Sequence, residues 1–185
     1  MARKVTGDGI AAGETVEAIG HRANVTAYDG AHVTAYRGAH VTAYRGAQVV
    51  AYSGTTVDAR PGSTVTAARD AYVRAEGARV IIEGGSDDVM VDAHHGAHVD
   101  ARSGWVNAYD GSIVYARAGS VVDALGRAHV VAARGSVVYV HGSARVFALA
   151  GSKVRVLTDD ACVEAFPGAR VMHGWGGLKR DEQGA

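Results

Sequence analysis

The residues in this 185-residue chain best suited to chemistry are its nine histidines. The densest group, His94, His95 and His98, follows Asp87, Asp88 and Asp92. Imidazole and carboxylate together are a donor set for zinc and other first-row metals, and histidine is the side chain that exchanges protons near neutral pH. Either use requires the groups to converge on one point. The single cysteine, Cys162, supplies neither a disulfide framework nor a Cys-rich zinc module. No nucleophile triad, phosphate-binding glycine loop or carboxylate pair stands above the rest of the chain. The expectation is therefore a non-enzymatic protein without a cofactor. His94, His95 and His98 are its metal candidates, and the segment Gly84–Asp88 beside them is the place where an enzyme or metal site would sit.

What must position these residues is an eight-residue repeat. Gly30-Ala-His-Val-Thr-Ala-Tyr-Arg37 recurs unchanged at Gly38–Arg45. With Gly as position 1 and Val as position 4, twenty octads run from the one centred on Val16 to the one centred on Val171. Position 6 is Ala in sixteen of them, and position 1 is Gly in thirteen, too regular a spacing for chance. Glycine at this frequency would break a helix. Positions 2, 4 and 6 are small and apolar while 3 and 5 are largely polar, the alternation of a half-buried strand. Positions 7, 8 and 1 carry the corner. One octad buries almost nothing alone, and stacked octads bury a continuous core.

The predicted fold is an all-β parallel β-solenoid (β-helix). Two octads per 16-residue coil suit a slab filled only by Ala and Val, and three octads per triangular 24-residue coil are the alternative. Residues 13–174 form the repeat. Residues 1–12 are the expected N-terminal cap and 175–185 the C-terminal cap or tail. The composition follows from this plan: Ala 35, Val 28 and Gly 25 supply interior and corners, against Leu 4, Ile 5 and Phe 2.

Gly62-Ser63-Thr64-Val65-Thr66-Ala67 resembles the repeat core of bacterial ice-nucleation proteins. That resemblance covers about 160 residues. It implies a flat solenoid with an outward Thr-x-Thr array, a tyrosine ladder along an edge, and an ice surface as partner. Thr64/Thr66 is the one true Thr pair at positions 3 and 5. Other octads present His32/Thr34, Thr56/Asp58, Tyr72/Arg74 or Lys153/Arg155 there.

In a two-octad coil, alternate octads share a face. One face then gathers Ile81, Ile113, Tyr115, Val131 and Phe147, with Arg79, His98, His129 and Arg145 among them. A contiguous apolar stripe of this kind marks an association surface, so the expected partner is a second copy or another protein. The other face holds Trp105, Val121, Val137 and Tyr139, diluted by Asp92, Asp123, Lys153 and Arg155. Position 7 carries Tyr28, Tyr36, Tyr44 and Tyr52. The first and third should stack on one edge, the second and fourth on the other, either stiffening the corners or forming an edge seam.

Charge narrows the partners. Lys+Arg and Asp+Glu are 19 each, so no general attraction draws the chain to nucleic acid or an anionic membrane. No run of 18 apolar residues predicts a membrane span. The absence of a visible signal segment and of disulfides points to the cytoplasm or a virion. Arg outnumbers Lys sixteen to three, as in GC-rich bacterial or phage coding sequences.

Overall fold

The computed structural model describes residues 2–174, apart from Ser53, Ser86 and Asp87. The expected C-terminal cap at 175–185 lies outside the described residues. Those described form an all-β parallel solenoid without a helix, and hence with no helix long and apolar enough to cross a membrane. Strands alternate between two sheets of eleven. The front sheet starts with Arg3–Val5, Thr15–Ile19 and His32–Tyr36. The back sheet starts with Asp8–Ala11, Asn24–Ala27 and His40–Ala43. Each coil therefore holds two octads, as expected. At about 4.8 Å per coil the rod is on the order of 50 Å long.

The register is that of the repeat. Val33 lies beside Val49 and Val49 beside Val65 in the front sheet, while Val25, Val41 and Val57 align in the back sheet. Positions 2, 4 and 6 from both sheets fill one core, with Val41, Ala43 and Ala39 fully buried. The slab is thin because nothing larger than Ile82 enters it. Where position 2 is serine, the buried hydroxyl donates to the position 7 carbonyl three residues back. Ser120 reaches Arg117 O at 2.7 Å and Ser152 reaches Leu149 O at 2.6 Å. The backbone N–H of position 2 bonds the same carbonyl (Ser120 to Arg117 O, 3.1 Å), so each such corner is a tight four-residue turn.

The first twelve residues, expected as a cap, contain a coil of their own. Arg3–Val5 pairs with Thr15–Ile19, and Asp8–Ala11 pairs with Asn24–Ala27. Arg3 stands where the next coil has Val16. Its guanidinium donates to Glu14 at 2.7 and 3.1 Å and to the Ile10 carbonyl at 2.6 Å, closing the N-terminal coil on itself. That hydrogen-bonded pair holds the Glu14 carboxyl below its ordinary range.

Candidate functional site

The front face presents two outward columns. In the position 5 column, Tyr115, Val131 and Phe147 are consecutive register partners. Ile113 is two residues from Tyr115 on the same strand and faces outward beside it. Tyr115 is 49% exposed and Phe147 40%, so both rings leave apolar surface in water. Ile81 shares the column but is separated from Tyr115 by Asp100. The position 3 column runs Arg79, His98, Ile113, His129, Arg145, Cys162. The structure thus places all the candidate interface residues on one face and brings four of the apolar ones into one patch. Asp100 interrupts the stripe with a carboxylate, which Arg117 holds through Nε at 2.5 Å and Nη2 at 3.2 Å. Beside that pair lies an open depression of about 580 Å³, lined by Arg79, His98, Asp100, Tyr115 and Arg117 among others. It forms at Gly62 and Gly77, where the octad before Val80 lacks one residue and the corner is short.

The tyrosine ladder stands where expected. Tyr28 and Tyr44 stack at 5.1 Å on one edge, and Tyr36 and Tyr52 at 5.3 Å on the other, both 9° from parallel. The Tyr28 edge continues through an Arg60–Glu76 bond of 2.7 Å to a stack that sequence reading missed, His94 on Tyr109 at 4.2 Å and 6°.

That stack also decides how the histidine group is arranged. His94 and His95 are neighbours at a corner, with ring centroids 6.2 Å apart. His98 stands on the front face in the Arg79 column. Asp92 points outward from the back sheet and is engaged by Tyr72 and Asn107. Asp87 lies outside the described residues. Among the described residues no three His, Cys, Asp or Glu side chains converge to hold a metal ion. Burial against Tyr109 pushes the His94 imidazole below its ordinary range and favours its neutral form.

The back face carries a second arrangement. Its position 3 column runs Tyr72, Met90, Trp105, Val121, Val137, and its position 5 column Arg74, Asp92, Asn107, Asp123, Tyr139, Arg155. Four of these side chains are hydrogen-bonded in series across three coils. The Trp105 indole N–H donates to Asn107 Oδ1 at 3.1 Å. Asn107 Nδ2 donates to Asp92 Oδ1 at 2.8 Å, and Tyr72 donates to Asp92 Oδ2 at 2.5 Å. Burial and the Asp92 bond push the Tyr72 hydroxyl up to about 12, so it stays a donor. One signal was available in the sequence: Trp105 and Asn107 are two apart, hence on one face. Tyr72 and Asp92 could be joined to them only with the register across the Gly84–Asp88 insertion in hand.

Among the described residues the Thr-x-Thr pair does not repeat, and the longest outward threonine column is Thr26 beside Thr42, ended by Ile10 and Asp58. Thr64/Thr66 lies between Gln48/Val50 and Arg79/Ile81. No known protein family matches the chain, and no curated protein or solved structure was found to be similar to it.

Proposed function

We propose that the chain is a non-enzymatic structural rod that self-associates, or docks a protein partner, through the front face. One observation carries this reading: Tyr115, Val131 and Phe147 occupy adjacent rungs of a parallel sheet with Ile113 alongside. An apolar patch on a laddered scaffold loses little conformational entropy on docking, because its backbone is already fixed by the coils above and below. Arg145 and Glu164, each beside the patch, supply the polar rim of an interface. Sedimentation equilibrium on the full chain tests the self-association arm: the mass should rise with concentration and fall back when the patch is made polar. A strict monomer removes that arm.

The ice-surface alternative rests on the single Thr-x-Thr pair Thr64/Thr66, whose neighbouring rungs present Gln, Val, Arg and Ile, and on Thr26 beside Thr42 on the back face. Normal supercooling in a droplet-freezing assay is the result expected from this surface.

A further inference from the structure

The back face holds a shallow depression of about 240 Å³, separate from the front-face patch and lined by Trp105, Asp123, Tyr139, His141, Arg155 and Leu157. Its composition is specific. One wall is an indole whose orientation is set by the Asn107–Asp92–Tyr72 series and which is 40% exposed. With its N–H shared between Asn107 on its own strand and the Asp123 carboxylate on the next, the ring has its apolar face left to offer. Asp123, Tyr139 and Arg155 are successive rungs of one column, so their polar ends line up along the rod beside that ring. His141 stands 4.0 Å from Asp123, beyond direct hydrogen-bond range. Burial pushes the Asp123 carboxyl above its ordinary range, and His141 and the Trp105 N–H offset part of that effect.

A ligand that fits must be small, must show an apolar face to the indole, and must offer a rim of groups that both donate and accept. A carboxylate accepts at two oxygens, Tyr139 gives and takes, and Arg155, whose Nε already donates to the Gly174 carbonyl at 3.3 Å, donates only. Asp123 and Arg155 carry opposite charges, so the depression favours neither an anion nor a cation. A pyranose ring meets all of these terms: one face is C–H, the rim is hydroxyl, and there is no charge. The face is open along the rod axis, which admits a chain of rings rather than a single enclosed sugar. We infer that this depression is a subsite for a neutral glycan, with one sugar stacked on Trp105 and its hydroxyls held by Asp123, Tyr139, His141 and Arg155.

The test is native affinity electrophoresis of the full chain through gels containing hydroxyethyl cellulose, xylan, laminarin, glycol chitin or dextran. Retardation is expected in at least one gel. Trp105→Ala should abolish it, and Trp105→Phe, which keeps a ring, should retain part. Asp123→Asn preserves shape and should weaken binding by about tenfold or more, the effect of losing a hydrogen bond to a charged group. Far-UV circular dichroism confirms that each variant keeps its coils. Phe147→Ser lies on the opposite face and should leave the retardation unchanged, so failure of the front-face reading is recorded separately. Free migration in all five gels overturns the inference. So does retardation that survives Trp105→Ala and Asp123→Asn.

Discussion

Replacing Phe147 by serine is the sharpest perturbation of the front face, because the ring makes no interior contact that its loss would disturb. An aromatic side chain buries about 200 Å² when fully covered. Phe147 is 40% exposed, so an interface over it removes roughly 80 Å² from water at this position. At about 25 cal/mol per Å² that is ~2 kcal/mol for each copy. In a two-fold dimer the residue enters twice, giving ~4 kcal/mol and a dissociation constant weakened about a thousandfold. Sedimentation equilibrium across a wide concentration range reads this directly. Phe166→Ser is the control: that ring is 43% exposed but sits at the corner after Cys162–Ala165, off the patch. The expected outcome is loss of assembly for Phe147→Ser alone, with the thermal midpoint of both variants near that of the parent. The reasoning is refuted if the parent is a monomer at ~1 mM, where even a 4 kcal/mol interface half-assembles. It is equally refuted if Phe166→Ser lowers the mass as much as Phe147→Ser.

Three further outcomes follow from the coils themselves. Gly142 has φ 70°, and a Cβ there would meet the Gly126 backbone of the neighbouring coil at 3.1–3.2 Å, whereas Gly96 has φ 78° and open space around it. Gly96→Ala should therefore cost only the left-handed backbone term, about 1–2 kcal/mol in urea unfolding, and Gly142→Ala clearly more; equal losses would sink the stacking argument. Tyr44→Ala removes the 5.1 Å stack with Tyr28, about 0.5–1.5 kcal/mol on top of the ring's lost burial, and should lower stability by at least that much without changing solution mass. A mass change would move the seam to the tyrosine edge. Burial keeps the His94 pKa below its ordinary 6.5, so the unfolded chain takes up this proton first as pH falls. Stability should then decline from just above pH 6.5 until folded His94 also protonates, and His94→Phe, which keeps a ring over Tyr109, should flatten that part of the melting profile relative to the parent.

The interior was legible in the sequence because it is made of few residue types in one period. Val16 to Val171 mark twenty strands, and the structure has a strand at each. Arg3–Val5 and Asp8–Ala11 were not legible, since Arg3 occupies an interior register and Gly9 pairs with Val25 where the repeat has Val. They are strands because the neighbouring coil offers a backbone ladder, a tertiary gain that outweighs local pattern. The front patch was readable as a column, and Asp100 as a position 5 residue within it, but the bond that holds Asp100 comes from a corner arginine, Arg117, which no pattern of positions 3 and 5 contains. The back-face series was the least visible. Tyr72 and Asp92 are twenty residues apart and His94 and Tyr109 fifteen, because insertions and deletions at the corners change the count while the strands keep their pairing.

Those corner changes also show where this fold tolerates variation. A coil can gain or lose a corner residue and still pair Val with Val, as Val80 does with Val65 fifteen residues before it and with Val99 nineteen after it. The ladder fixes the strand and leaves the corner free. Side chains alternate strictly, so a change at position 3 or 5 touches the outside of one sheet and leaves the Ala–Val slab alone. The two outer faces are therefore chemically independent, although their sheets share one core and every corner. One can be apolar and suited to a second protein while the other orders an indole among hydrogen-bonding groups. The same independence makes function and folding separable by experiment: changes at Phe147 or Trp105 should alter what the rod binds at unchanged melting temperature, and changes at Gly142 or Val114 should alter melting before binding.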